Sequence, residues 1–212
     1  MTDILGQQNI DIFLNELASS APTPGGGSVA ALTGAMAAGL VSMVCALTIG
    51  KKANTDFEEE ARSIQVQSEE LRREFQSLAQ DDIEIFKRLS AAYKLPKTTA
   101  ADAASRKAAI QTVTRHATEI PLRVARAATM LLPFCTTLAN RCSRLLVSDI
   151  GIATILARST VQSALLNVEI NLTSLEDQIY VREVRAQMED LSIGLSDQTR
   201  GILEIVRTRI NQ

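Results

Sequence analysis

Three groups of residues in this chain have types and spacings suited to chemistry. Asp82 falls on a helical run of apolar positions that includes Phe57, Ile64, Leu71, Phe75, Leu78, Phe86 and Tyr93. A carboxylate on such a seam loses hydration, so its pKa rises towards the range useful for proton transfer. The alternative is a register slip or kink that exposes it. Asn167 and Asn171 stand four apart in "ALLNVEINL", hence on one helix face. Two carboxamides among apolar residues need partners: each other, the backbone, or the edge of a heterocycle. Gly25, Gly26, Gly27 and Ser28 sit where a helix begins. Backbone N–H groups there cradle an anion, or the glycines let two backbones approach. The stretch is not a P-loop, because no Lys-Ser/Thr follows the glycines. Asp149 is a further acid, either a helix cap or a catalytic group.

These residues need helices to position them, and the sequence reads as all-α. A short amphipathic helix is expected over about 9–18. A second runs from about 28, capped by Ser28, to about 49. Gly50 stops it, and Lys51 and Lys52 complement the negative end of its dipole. The long seam predicts a helix over 55–93, interrupted only by Ser68 and Asp82. Pro96 cannot continue it. A helix over 100–118 follows. Pro121 is expected to open a further one, kinked at Pro133. Ser148 or Asp149 caps a helix to about Leu172. A last long helix runs to about Arg209, with Ser174 and Asp177 at capping-box spacing. The seams at 55–93 and 175–209 offer more apolar surface than one bundle covers, which predicts a homodimer.

Composition bounds the function. The 212 residues are 46% hydrophobic and 22% charged, as in an ordinary globular chain, and fit one domain over 1–212. A net charge of -2 and 3% aromatics argue against nucleic-acid binding, which needs basic patches and stacking platforms. His116 is the only histidine and there is no Cys-x-x-Cys, so no metal site is expected. Cys45, Cys135 and Cys142 read as reduced core thiols. The polar start "MTDILGQQNIDIF" carries no basic leader, and a cytoplasmic protein is expected. The uncharged run between Leu17 and Gly50 is long enough to span a bilayer. Its prolines, glycines and low Leu content instead predict a helix buried in a soluble bundle, with no membrane partner.

Taken together, "FLNELASSAPTPGGGSVAALTGAMAAGLVSMVCALTIGKK", "DDIEIFKRLSAAYKLPK", "EIPLRVA", "SDIGIA" and "NVEINL" resemble the cyclodeaminase/cyclohydrolase family. The resemblance keeps the order of all five blocks over nearly the whole chain. It implies an all-α fold, a dimer, and a folate site built with dimer participation. It also implies chemistry at the one-carbon bridge of tetrahydrofolate. This would be hydrolysis of the methenyl compound to the formyl compound or, alternatively, loss of ammonia from the formimino compound. No bound cofactor is implied, since the folate is the substrate. Asp82, followed by Phe86, matches the family's acidic position. Asp149, Asn167 and Asn171 match two further blocks. The glycines and Lys51 suit the anionic glutamate tail of a folate. Cys142-Ser143 stands where the family carries Gly-Asn, and Gln80 where some members carry a second acid. The first departure favours a third reading, a non-catalytic folate-binding relative.

Overall fold

The computed structural model describes Leu5, residues 8–51 and residues 55–212. Among these, every regular element is helical. The order is α1 (Ile10–Leu17), α2 (Gly26–Thr48), α3 (Glu58–Tyr93), α4 (Ala100–Arg141), a 3-10 turn (Arg144–Leu146), α5 (Val147–Leu172), α6 (Gln178–Ser192) and α7 (Leu195–Ile210). Local side-chain chemistry sets several starts. Asn9 accepts the Asp11 N–H ahead of α1. Thr99 and Asp102 form a reciprocal capping box on α4. Asp177 alone caps α6, accepting from the Ile179 and Tyr180 N–H groups, so the expected Ser174–Asp177 box does not form.

Other boundaries depart from expectation for physical reasons. Gly25 is the N-cap of α2, which places Ser28 inside the first turn rather than ahead of it. Likewise α5 starts at Val147, with Ser148 and Asp149 in its first turn. The expected last helix is two, broken where Gly194 adopts a φ of 70°, a conformation side-chain-bearing residues rarely reach. Pro121 opens no new helix: α4 runs through it unbroken for 42 residues. A proline here deprives the Ala117 carbonyl of its i+4 donor. Asn171 of α5 supplies the missing hydrogen bond, its Nδ2 donating to Ala117 O at 2.9 Å.

Helices α2 to α5 run alternately up and down. Gly27 meets Asp82 and Gly34 meets Phe75, so α3 returns along α2. Arg123 on α4 pairs with Glu74 on α3, and Arg106 donates to the Tyr93 carbonyl. Asn171 bonds Ala117, which makes α5 antiparallel to α4. Gly26 lies beside Asn167, so α5 is also antiparallel to α2. Between them Val41, Val44, Phe75, Leu78, Leu131, Leu138, Ile150 and Val161 form the fully buried core. Ser68, one of the two seam interruptions, donates to the Ile64 carbonyl of its own helix at 2.7 Å. Cys45, Cys135 and Cys142 are buried free thiols. Burial pushes Cys45 and Cys135 up to about 12.

The two long seams are mostly covered within the chain: Ile64, Leu71, Phe75 and Leu78 are buried, as are Val184, Leu195, Ile202 and Val206. Phe86 and Tyr93, at the far end of α3, are exposed. Further open apolar surface lies on α2 and α5. Met36, Met43 and Leu47 are exposed on α2, and Ile152, Ile155, Leu166 and Ile170 on α5. The segments Gly26–Thr48 and Arg144–Leu172 are long and apolar enough to cross a membrane, and 50% and 44% of their most apolar 18-residue stretches is buried in the fold.

The closeness of α2 and α3 depends on missing side chains. A Cβ on Gly34 would stand 2.6 Å from the Phe75 ring. Gly34→Ala is therefore expected to destabilise the fold by about 1–3 kcal/mol through overpacking. The measurement is thermal melting, where each kcal/mol at this chain length lowers Tm by about 2–4 °C. An unchanged Tm would show that the ring moves aside freely.

Candidate active site

The first turn of α2 carries the site. Gly25, Gly26, Gly27 and Ser28 are at its N-terminus, and the middle of α3 and the end of α5 converge on it. Asp82 reaches from α3 to Ser28, whose Oγ donates to Asp82 Oδ2 at 2.8 Å. The carboxyl group lies directly over Gly27: a Cβ there would be 2.1 Å from Oδ1 and 2.5 Å from Cγ. Burial pushes the Asp82 pKa up, opposed by the Ser28 hydroxyl and the Ser28 backbone, which favour the charged form. Asp82 is thus only partly buried, and it is held by a named donor rather than turned out by a kink.

Asn167 lies on the other side of the same turn. Its Oδ1 is 3.6 Å from where a Gly26 Cβ would be, and its Nδ2 donates to the Ser163 carbonyl at 2.9 Å. A Cβ on Gly25 would meet nothing within 4 Å. Gly27 is therefore glycine because Asp82 needs the space, Gly26 is in contact range of Asn167, and Gly25 borders room that the chain itself does not fill. Helix N-terminal N–H groups border that room. An electron-rich group brought there meets a carboxyl group with a raised pKa, a carboxamide and the positive end of a helix dipole.

The remaining candidates are placed elsewhere. Asn171 is committed through Nδ2 to the Ala117 carbonyl. Lys51 follows the other end of α2, whose 23 residues span about 34 Å at 1.5 Å per residue. Lys52 lies outside the described residues. Asp149 is about 27 Å from Asn167 along α5. It lies near Cys142, which in turn is near Cys45 at the far end of α2. The Cys142-Ser143 pair belongs to that far end too. There the Cys142 carbonyl accepts from Arg209 at 2.5 Å, and Ser143 caps the 3-10 turn. His116 is exposed on α4. Among the described residues, no three His, Cys, Asp or Glu side chains gather to hold a metal ion.

The sequence profile of the formiminotransferase-cyclodeaminase family matches residues 9–190. The chain belongs to that family. It is 39% identical to the methenyltetrahydrofolate cyclohydrolase of Methylorubrum extorquens over 97% of its own length and 99% of the relative. It is 32% identical to the formimidoyltransferase-cyclodeaminase of Sus scrofa, covering 93% of this chain but 36% of that longer protein. The crystal structure of formiminotetrahydrofolate cyclodeaminase from Thermotoga maritima superposes with a TM-score of 0.81 at 28% identity, over 97% of each chain. The family resemblance seen in the five sequence blocks and the all-α fold it implied both hold.

The Ser28–Asp82 pairing escaped sequence reasoning, which gave Ser28 to a cap. The available signal was register: an antiparallel α2–α3 pair that seats Phe75 on Gly34 must also seat Asp82 on Gly27. A stability prediction follows from the direction of the Asp82 shift. A carboxyl group with a raised folded-state pKa favours folding below its unfolded value, near 4, and loses that contribution as pH rises through the folded value. Asp82→Asn keeps an acceptor for Ser28 and removes the ionisation. Its Tm relative to wild type is expected to increase from pH 4 to pH 8. A pH-independent difference would show that Asp82 ionises as if in water.

Proposed function

We propose that the protein is a tetrahydrofolate one-carbon enzyme that hydrolyses 5,10-methenyltetrahydrofolate to 10-formyltetrahydrofolate. The observation that carries this reading is the near-full-length match to the Methylorubrum extorquens cyclohydrolase at 39% identity, in a chain whose glycine turn holds a carboxyl group with a raised pKa. The folate's bridge carbon lies in the room beside Gly25, with Asn167 on its heterocycle. Asp82 takes a proton from water as the oxygen adds to the carbon between N5 and N10. The carbon then bears three heteroatoms. Asp82 returns the proton to N5 as the C–N5 bond breaks, and the second water proton leaves as the formyl C=O forms. One carboxyl group in two roles contributes about 10²–10⁴-fold. Ser28 keeps it aimed. The protein works in the cytoplasm, without a bound cofactor, as a homodimer.

A second reading is favoured by a separate observation, the fold match to a formiminotetrahydrofolate cyclodeaminase. There N10 attacks the formimino carbon, ammonia leaves, and the same carboxyl group moves the protons.

The test is the absorbance of methenyltetrahydrofolate, which is expected to fall on adding the protein. Asp82→Asn should lower turnover by about 100-fold or more while folate binding survives. Gly27→Ala, by displacing the carboxyl group, should cost about 100-fold. No loss of absorbance, with ammonia released from formiminotetrahydrofolate, would replace the first reading by the second. Near-normal turnover of Asp82→Asn would remove Asp82 from the mechanism under either.

A further inference from the structure

Helices α3 and α4 outrun the bundle at the end that holds the site. Gly27, in the first turn of α2, meets Asp82, yet α3 continues from Ile83 to Tyr93, about 16 Å further. Asn171, near the end of α5, bonds Ala117, yet α4 begins at Ala100, about 25 Å before that contact. The two helices therefore project past α2 and α5 as a hairpin arm. Contacts within it fix its shape. Ile85 and Ala92 are buried. Arg106 donates from Nε and Nη2 to the Tyr93 carbonyl at 3.2 and 3.0 Å. The α3 seam does not stop where α2 does. Leu71, Phe75, Leu78 and Asp82 are followed, at the same steps of four and three, by Phe86, Leu89 and Tyr93. Leu71, Phe75 and Leu78 are buried, whereas Phe86 is 40% and Tyr93 48% exposed. The stripe that lies against α2 as far as Gly27 thus runs on beyond it, from the Asp82 carboxyl group to the tip of the arm. A bare apolar stripe continuous with a polar site marks a binding surface.

The arm is also where positive charge gathers. From Ile85 to Lys107 there are six basic residues and one acid, Asp102, in a chain of net charge -2. Asp102 is engaged at its own helix start, accepting from the Thr98 hydroxyl and the Thr99 N–H. Lys87 pairs with Glu84, and Lys107 with Glu176. Lys94 and Lys97 are exposed at the tip. The Arg106 guanidinium stands over the Tyr93 ring, 5.7 Å from its centroid. An apolar, aromatic stripe that begins at a carboxyl group and ends among cations suits a ligand of the matching order: a reacting centre, a flat ring, then anions.

We propose that the arm seats the tail of the substrate, with the p-aminobenzoyl ring along Phe86, Leu89 and Tyr93 and the glutamate carboxylates at Lys94, Lys97 and Arg106. The inference rests on the folate reading above and extends it to the half of the substrate that does not react. With the bridge carbon at Asp82, the p-aminobenzoyl ring begins beside N10, and Phe86 stands one helical turn along the same stripe. The ring and its amide-linked glutamate are together about two helical turns long, which brings the carboxylates within reach of a lysine side chain at the end of α3. Lys51, the expected partner of those carboxylates, follows the other end of α2, about 34 Å away. The arm supplies cations on the side of α2 where Asp82 lies. It also supplies an aromatic face in a chain with few aromatics, and it does so on a helix whose register is already fixed by Gly27 and Gly34. A ring laid on a preformed face loses less in ordering than one held by a loop.

The test is a binding measurement that needs no turnover. Two probes are titrated calorimetrically at low salt: 5-formyltetrahydrofolate, and 5-formyltetrahydropteroate, which lacks the glutamate. The double variant Lys94→Ala, Lys97→Ala is expected to weaken the first by about tenfold and the second by less than about twofold. Phe86→Ala is expected to weaken both by about tenfold. All three side chains are exposed, so Tm should stay within about 2 °C of wild type. With the methenyl compound as substrate, the same variants should raise KM by more than they lower kcat. Equal losses of the two probes in the lysine variant, or wild-type affinity in Phe86→Ala, would overturn the proposal. So would a Phe86→Ala protein that changes oligomeric state but not affinity, since the stripe would then belong to a second copy. A wild type that turns over the methenyl compound, with KM unmoved in every variant, would overturn the arm and leave the proposed function standing. The expected binding losses in a protein without that turnover would support the arm and count against the proposed hydrolysis.

Discussion

The close approach of α2 to α3 is the constraint on which the rest of the molecule depends. Two helices come this near only where side chains are missing, and here they are missing at Gly27 and Gly34. Phe75 fills the space over Gly34, and the same register brings Asp82 over Gly27. The apolar fit therefore aims a carboxyl group that hydrophobic burial alone would expel. Ala30, Ala31, Ala37 and Ala38 are buried on the same helix. Such small residues contribute little surface each, but they let backbones approach and bring many atoms within dispersion range.

A second, longer path sets the other wall of the site. Pro121 leaves the Ala117 carbonyl without its helical donor, and Asn171 supplies one from α5. A buried carbonyl left unpaired would cost about 1–3 kcal/mol, so this bond holds the end of α5 against α4 in one register. One turn earlier on α5 stands Asn167, which is thereby placed against Gly26. A proline that looks like a helix boundary is thus part of what positions a polar side chain at the candidate site.

Much of this was legible in the residues. The steps of three and four along α3 are what a buried face imposes, and Asp82 is conspicuous for breaking them. The glycine cluster correctly marks the sterically demanding region. The rest was hidden because it depends on contacts between distant segments. Pro121 carries the same local signal whether it opens a helix or sits inside one. Only a partner such as Asn171, fifty residues on, decides. Likewise Ser28 is a good cap by type, and nothing local reveals that Gly25 takes that place while the hydroxyl turns to α3. Asp149 and Lys51 matched family blocks, yet both lie at the opposite end of α2 from Asp82. A match of residue types carries no distance, and 1.5 Å per residue along a straight helix does.

Asp82 needs opposed forces to be useful. Left fully hydrated, a carboxyl group is too weak a base to hold a proton near neutral pH; buried without a donor, it stays neutral and accepts none. The structure sets one against the other, with burial raising the pKa and Ser28 opposing it. A second acid two residues earlier would add like-charge repulsion and raise it further. This chain has Gln80 there, and its carboxamide is engaged elsewhere, accepting from the Leu5 N–H at 2.9 Å and donating to Glu84 at 3.2 Å. Asp82 is consequently tuned by desolvation and a single serine rather than by a carboxylate pair. A group tuned by desolvation depends on what keeps water out of its site. On the open side, beside Gly25, that role would fall, under the proposed function, to the substrate's own flat ring. On that reading, binding would raise the pKa of the group that moves the proton, so the base would strengthen only once the carbon it serves is in place.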